Sequence, residues 1–329
     1  MKKILFTTAA LLVAGITYAQ TYVLDKTIPL TGDGGYDYLS IDKVNNRLYV
    51  SHGTMVNVVD LATDTQVGVI EGLKGIHGIA IDNKANKGFI SDGRANEVVA
   101  FDLKTLKTIA NIPLDSKGAD AIMYDPFSDR VYTFNGDANN SCVVDPNTLK
   151  QVGTIALGGV PEFAVSDGKG TIYNNLEDKN SVNVIDTKTM KVIKNYSLAP
   201  KGAPTGLALD AQNKRTFSVS RENNSMIVLD INTGKIVATL PIGAGVDAVA
   251  YDTETKLIFC SNGDGTTTII KQETADKYSI VQTLATQNRA KTLALDTKTH
   301  KIYLSVVNME PGTRKAIPGT FKVLVYKQQ

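Results

Sequence analysis

The sequence predicts an all-β fold, a single seven-bladed β-propeller with four antiparallel strands in each blade. Three observations predict it: a repeat of about 42 residues, a strand-like pattern inside each repeat, and complementary chain ends. An aspartate anchors the repeat and recurs seven times, at Asp42, Asp82, Asp125, Asp167, Asp210, Asp252 and Asp296. An aromatic residue follows each one six or seven positions later, at Tyr49, Phe89, Tyr132, Tyr173, Phe217, Phe259 and Tyr303.

Each repeat carries the pattern of four short strands. Residues 245–259, GVDAVAYDTETKLIF, show the first two: an alternating apolar run, a turn that begins at the aspartate, and a second apolar run. A polar Gly/Asn loop, a third run such as SVNVID, a turn such as DTKT and a fourth run complete the repeat. Four strands in little more than 40 residues are typical of one propeller blade.

The chain ends predict how the ring closes. The last repeat supplies KTLALD, KIYLSV and FKVLVYK and then stops one strand short, while residues 21–30, TYVLDKTIPL, form a strand-like stretch before the first repeat. We therefore expect the N-terminal stretch to be the outer strand of blade 7, which leaves no blade incomplete. Residues 20–329 then make one propeller domain.

Residues 1–19 have the pattern of a secretory signal peptide. Lys2 and Lys3 precede an apolar run, and Thr17 and Ala19 supply the small residues of a cleavage site. We expect cleavage near Ala19 and a mature protein that is periplasmic or secreted. No other stretch approaches the roughly 20 apolar residues of a membrane helix, so we expect no membrane span.

Charge and cysteine content narrow the range of partners. The chain has 35 Lys and Arg against 33 Asp and Glu, and this balance lacks the basic excess of nucleic-acid-binding proteins. We therefore expect no nucleic-acid partner, and we expect a monomer. Cys142 and Cys260 fall in repeats three and six, too far apart to form a disulfide in a propeller, so both should be buried free thiols.

We expect functional residues at repeat positions where the residue type changes from blade to blade, and one such position is the most informative. It lies five residues before each turn aspartate and would open the innermost strand of each blade, so its seven side chains should surround one mouth of the central channel. They are Asp37, His77, Asp120, Glu162, Thr205, Asp247 and Lys291. Close carboxylates repel one another, which raises some of their pKa values or favours a bound cation.

Three interpretations of this ring remain open: a wide solvated mouth, a metal or cationic-ligand site, and acid/base catalysis. No cofactor is certain. A divalent metal ion is the one that the residue types suggest, held by His77, Asp120, Glu162 and Asp247.

The loops between the second and third strands should rim the same mouth. Their candidate residues are His52, Asp92, Arg94, Arg221 and Asp264. We expect His52 to approach His77, whereas Asp92-Gly93 and Asp264-Gly265 are also common turn formers. In blade 7 this loop is a longer insertion, residues 308–320, which carries Arg314 and should lie over the mouth as a flap.

The repeats also resemble a known family. RLYVSHG, SVNVIDTKTMKVI, SMIVLDINTGKIVATLPIG and KTLALDTKTHKIYLSV are similar to the repeats of YncE-like bacterial β-propellers, which are built from YVTN-type repeats. The resemblance implies an exported or periplasmic propeller. Related propellers include lactone-forming or lactone-opening enzymes and metal-dependent lyases, but none of their motifs is present here.

The resulting functional hypothesis is a binding module, rather than an enzyme, that presents the loop face to an unidentified small ligand, metal ion, glycan or protein. The alternative is a metal-assisted lactonase or lyase, with the ion on His77, Asp120, Glu162 and Asp247 and with His52 or Lys291 as the proton-transfer group. A scaffold without a small-molecule site is the third class.

Overall fold

A computed structural model describes residues 21–199, 202–313 and 315–329, and it contains 28 β-strands. The predicted signal peptide lies outside the described residues. Within these residues no helix is long and apolar enough to cross a membrane.

The strands form seven four-stranded antiparallel sheets, one for each blade. The chain enters through β1 (Tyr22–Pro29). Blade 1 contains β2 (Tyr36–Asp42), β3 (Arg47–His52), β4 (Met55–Asp60) and β5 (Thr65–Ile70). Blade 2 contains β6 (Ile76–Asp82), β7 (Lys87–Asp92), β8 (Glu97–Asp102) and β9 (Thr108–Pro113). Blade 3 contains β10 (Ala119–Asp125), β11 (Arg130–Asn135), β12 (Asn140–Asp145) and β13 (Lys150–Ala156).

The remaining blades follow the same order, from the innermost strand outwards. Blade 4 contains β14 (Pro161–Ser166), β15 (Thr171–Leu176), β16 (Ser181–Asp186) and β17 (Lys191–Ser197). Blade 5 contains β18 (Pro204–Asp210), β19 (Arg215–Ser220), β20 (Ser225–Asp230) and β21 (Lys235–Pro241). Blade 6 contains β22 (Val246–Asp252), β23 (Leu257–Asn262), β24 (Thr266–Thr274) and β25 (Lys277–Ala285). Blade 7 contains β26 (Leu293–Asp296), β27 (Lys301–Val306), β28 (Lys322–Gln328) and, as its outer strand, β1.

This arrangement confirms the predicted seven-bladed propeller. It also confirms the closing strand: β1 pairs antiparallel with β28, so the two ends of the chain complete one sheet. Tyr22 at the start of β1 is buried and packs edge-on against Phe259 of blade 6, with 5.0 Å between ring centroids. Its hydroxyl donates to the His300 carbonyl at 2.7 Å.

The repeated aspartate stabilises the turn between the first and second strands of a blade. In blade 1 the carboxylate of Asp42 accepts the backbone N–H groups of Val44 and Asn45, both at 3.0 Å. Asp210 does the same for Gln212 and Asn213 in blade 5. Side-chain capping of this kind replaces ladder hydrogen bonds at a tight turn, so the repeated aspartate belongs to the scaffold.

The core lies between neighbouring blades. The repeated aromatic residue sits in the second strand and packs against the next sheet: Tyr49 of blade 1 contacts Phe101 of blade 2, with ring centroids 5.6 Å apart. Both are fully buried. Cys142 and Cys260 are buried free thiols in blades 3 and 6, as the sequence predicts.

Candidate binding site at the channel mouth

The predicted ring position coincides with an irregularity in the innermost strands. In blades 1 to 6 the pairing of first and second strand shifts register at this position, for example between Tyr36 and Leu39 and between Ala119 and Ile122. The shift leaves Asp37 and Asp120 outside the regular ladder. Because a β-bulge redirects the side chain that it carries, it explains how these residues can turn towards the channel.

Side chains of the second strands replace the missing ladder hydrogen bonds. The Ser51 hydroxyl accepts the N–H of Asp37 at 2.9 Å in its own blade. Across blades, the Ser91 hydroxyl donates to the Asp120 carbonyl at 2.5 Å, and the Asn175 amide donates to the Thr205 carbonyl at 2.9 Å. Residues at the ring position are therefore held in place by a neighbouring blade as well as by their own blade.

Three residues of the ring converge, and we call them the acid–histidine cluster: Asp37, His77 and Asp120. His77 Nδ1 lies 2.8 Å from an Asp37 carboxylate oxygen and 3.5 Å from Asp120 Oδ1. One ligand atom from each residue lies within 4.8 Å of the others. Since divalent ions bind oxygen and nitrogen at about 2.0–2.6 Å, this spacing fits a single ion.

Burial and neighbouring groups raise the pKa values of Asp120, Glu162 and His77 through different causes. Burial, reinforced by the Asp37 carboxylate, raises the pKa of Asp120 to about 6, and Asp120 Oδ1 has no hydrogen-bond partner among the described residues. Burial and the charge of Asp120 raise the pKa of Glu162 to about 9. The hydrogen bond to Asp37 raises the pKa of the His77 imidazole. The mouth therefore holds protons that a bound cation would displace.

The opposite side of the ring is neutralised by cations. Asp247 is bonded to Arg221 at 2.6 Å and to Lys291 at 2.5 Å, and Arg221 also lies 3.5 Å from Glu177. Asp247 is thereby ion-paired within the mouth, while its charge still contributes to the raised pKa of Asp120. The four residues that the sequence suggested as metal ligands do not form one group: Asp37 takes part, whereas Asp247 is ion-paired and Glu162 is not within the group.

Two predicted residues do not reach the mouth. Thr205 is buried, and its hydroxyl points to the Val246 carbonyl at 3.4 Å. His52 is also buried and stacks on Phe321 of blade 7, with ring centroids 3.8 Å apart. The expected approach of His52 to His77 is therefore wrong, because the apolar contact between blades 1 and 7 holds the imidazole in the core. Burial lowers the pKa of His52.

The other rim candidates have two roles: two of them stabilise loops, and two lie at the mouth or beside it. The buried carboxylate of Asp92 accepts the N–H groups of Lys74 and Gly75, and Asp264 accepts the N–H of Ala244 at 2.7 Å. Both hold the loop that leads into an innermost strand. Arg94 lines a 370 Å³ cavity beside Asp37 and His77, and Arg221 lies in the mouth itself.

The blade 7 insertion packs on the first loop of blade 1. Asp33 accepts the N–H of Gly319 at 2.8 Å, and Met309 and Ala316 form an isolated bridge inside the insertion. Lys315 is paired with Glu310 of the same segment at 2.8 Å. Arg314 lies outside the described residues. Lys315 of the predicted flap is thus neutralised by Glu310 and forms no ion pair with the described acids of the mouth.

Two aromatic residues that the sequence analysis missed meet within the channel below the mouth, and we call them the aromatic plug: Tyr38 and Phe163. They belong to blades 1 and 4, which are not neighbours, and their ring centroids lie 5.4 Å apart. Burial, together with the charges of Asp120 and Asp37, raises the pKa of Tyr38 well above its ordinary range.

A signal for the plug was present in the sequence. Four residues before each turn aspartate, the chain has Tyr38, Gly78, Ala121, Phe163, Gly206, Ala248 and Thr292. Five of these are small because the innermost strands crowd together there: a Cβ on Gly206 would lie 2.9 Å from the Cα of Ala248. Two large aromatic residues in a column of small ones indicate side chains that fill the axis.

Comparison with known proteins gives one distant likeness. No protein-family model matches the chain. The chain is 22% identical over 184 residues to "Antigen Lp49" of Leptospira interrogans serogroup Icterohaemorrhagiae serovar copenhageni (strain Fiocruz L1-130), a match that covers 54% of this chain. The match covers 40% of that protein, so the chain spans less than half of the relative. Together with the seven-bladed ring, this likeness supports a β-propeller family without singling one out.

Proposed function

We propose that the protein is a binding module and that its site is the channel mouth, defined by the acid–histidine cluster, Glu162, Asp247, Arg221 and Lys291. One observation carries the proposal: Asp37, His77 and Asp120 bring three ligand atoms within 4.8 Å of one another above the aromatic plug. A concave site with a few convergent polar groups is the usual form of a ligand site.

The ligand that this site suits best is a divalent cation, bound alone or as the bridge to an anionic molecule. Asp37 and Asp120 supply hard oxygen ligands, and His77 adds a nitrogen that favours a transition metal such as Zn²⁺ or Mn²⁺ over Ca²⁺. Arg221 and Lys291, on the other side of the mouth, would form ion pairs with an anionic molecule that the metal ion also binds. The Glu162 carboxyl has no hydrogen-bond or ion-pair partner in the described chain, and it is free to donate its proton to such a ligand.

Calorimetric titration of the purified, chelator-treated protein with Zn²⁺, Mn²⁺ and Ca²⁺ tests the proposal. We expect one ion per chain, and we expect Asp37→Asn and Asp120→Asn each to weaken binding at least tenfold. Glu254→Gln is the matched control, because Glu254 is an exposed acid in the turn after β22, at the opposite end of that strand from Asp247. The proposed cation site is refuted if wild type binds no ion, or if the control variant loses binding to the same degree.

A second function has support from the same three residues. A metal ion on Asp37, His77 and Asp120 would polarise a carbonyl and activate water, and the protonated Glu162 would supply a general acid, as a metal-assisted lactonase or lyase requires. Turnover of a lactone or uronate-type substrate that is lost in Glu162→Gln, with ion binding retained, would favour the enzyme over the binding module.

We further propose that the chain is a YncE-like propeller of the YVTN-repeat type and that it is exported to the periplasm or secreted. The repeat motifs and the signal-peptide pattern of residues 1–19 support this. Expression of the full chain in a Gram-negative host should give a periplasmic protein whose first residue is Gln20. A variant that lacks residues 2–19 is the control. Recovery of the full chain with Met1 retained, in the cytoplasm, contradicts the proposal.

A further inference from the structure

The half of the channel on the other side of the aromatic plug is a second cavity of about 560 Å³, which we call the turn-face cavity. It opens on the face that carries the turns between first and second strands, away from the channel mouth. Phe163 lines it from the plug, and its walls are innermost-strand residues of every blade except blade 2. Volumes of about 300–1,000 Å³ are usual for small-molecule sites.

The walls of this cavity are aliphatic. Ile41, Val165, Leu209 and Leu295 line it and are only half-buried. Among the polar residues of the lining, the Ser166 hydroxyl donates a hydrogen bond to an Asp125 carboxylate oxygen at 2.6 Å. This hydroxyl therefore already has a partner within the protein. An apolar ligand in this cavity would remove that apolar surface from water, which favours binding.

One cation stands at the edge of the cavity. Among the described residues, Lys43 is the only charged one in its lining, and it is exposed. Its ammonium donates to the Thr297 hydroxyl at 2.8 Å, and no carboxylate within the described chain forms an ion pair with it. The turns around this opening carry three more exposed lysines, Lys84, Lys169 and Lys298.

We propose that the turn-face cavity binds an amphiphilic anion, specifically a free, unbranched aliphatic carboxylate. Its chain lies along Val165, Leu209 and Leu295 towards Phe163, and its carboxylate meets the ammonium of Lys43. The charge of Lys43 selects an anionic head group, and the blind end at Phe163 limits the chain length. The site is separate from the proposed function at the mouth.

Calorimetric titration with a series of carboxylates, hexanoate to dodecanoate, each below its micellar concentration, tests this inference. We expect binding at one site per chain, strengthening by about fourfold for each added CH₂ until the chain fills the cavity, and then levelling off. Val165→Asp places a charge in the apolar wall and should abolish binding. The melting temperature of this variant shows whether it is folded, and Ala211→Trp, an exposed position at the cavity edge, provides a second obstruction that leaves the wall intact.

The role of Lys43 has its own control. Lys43→Ala should weaken carboxylate binding about two- to fivefold and leave the alkanol of the same chain length unchanged, whereas Lys298→Ala should change neither. The inference is overturned by an affinity that does not depend on chain length. Equal losses in Lys43→Ala and Lys298→Ala, or binding to anionic vesicles without binding to the monomeric carboxylates, would also overturn it.

Discussion

Glu162 and Asp247 occupy equivalent positions in blades 4 and 6, but their partners differ. Asp247 lies against Arg221 and Lys291, and its side chain is only 12% exposed. The Glu162 carboxyl has no such partner in the described part of the molecule, and burial raises its pKa to about 9. Repeated backbone geometry therefore places carboxyl groups with different partners in the same small space.

This difference predicts how stability depends on pH. Between about pH 4.5 and about pH 9 the folded protein holds a proton on Glu162 that the unfolded chain has released, so the free energy of unfolding falls as pH rises. Glu162→Gln removes that proton uptake. We expect the slope of unfolding free energy against pH to become less negative by up to about 1.4 kcal/mol per pH unit.

Urea denaturation of wild type and Glu162→Gln at several pH values in this window measures the slope. Glu254→Gln is the control, because its exposed side chain should leave the slope unchanged. Identical slopes for wild type and Glu162→Gln would mean that Glu162 ionises normally in the folded protein.

Cation binding at the mouth should release protons. A metal ion needs the ionised carboxylate of Asp120, whose pKa is raised to about 6, and the neutral imidazole of His77, whose pKa is raised by Asp37. Affinity should therefore fall as the pH drops, first through the pKa of His77, which lies above its ordinary value of 6.5, and then through about 6 at Asp120. The fall should be up to tenfold per pH unit for each proton displaced. Titrations in buffers of different ionisation enthalpy count the protons, and binding without proton release would contradict this assignment.

The ionisable residues at the mouth could be predicted as a set, but their pairing could not. The ring position followed from the repeat, since equivalent residues of seven blades must surround one axis. Which of them touch depends on local strand shifts and on long side chains from loops, such as Arg221. The sequence pattern also could not distinguish His52, held in the core by Phe321, from a rim histidine.

At the scale of elements, β1 closes the ring, and burial varies along its length. Tyr22 is buried against Phe259, while Leu24 of the same strand is 53% exposed. This outer strand could be predicted from the missing fourth strand of the last repeat. Its register against β28 shifts between Leu24 and Lys26, an irregularity that has no signal in the sequence.

The closing strand should contribute strongly to stability. Tyr22→Ala removes a buried ring and its hydrogen bond to the His300 carbonyl, so we expect a loss of about 3 kcal/mol in the free energy of unfolding. Leu24→Ala on the solvent side should cost under about 0.5 kcal/mol. Denaturant melts of both variants measure the difference. Equal losses would show that the packing of β1 on blade 6 is not what holds the ring closed.

For the whole molecule, the aromatic plug lies between two unlike chambers of one channel. The mouth above it is charged, and the turn-face cavity below it is aliphatic. Tyr38 and Phe163 meet across the axis although their blades are three positions apart in the chain. Two sites of different chemistry can therefore share one ring of innermost strands.

A tryptophan placed in the plug can test this division directly, because the chain contains no tryptophan. Phe163→Trp should give emission at shorter wavelength and severalfold weaker quenching by acrylamide than Phe127→Trp, whose side chain position is 59% exposed. If the chambers are separate, an alkyl carboxylate should protect the Trp at position 163 further, and it should do so equally with and without a cation at the mouth. Quenching of Phe163→Trp as strong as that of Phe127→Trp would mean that water passes through the axis and that the ring encloses a single open channel.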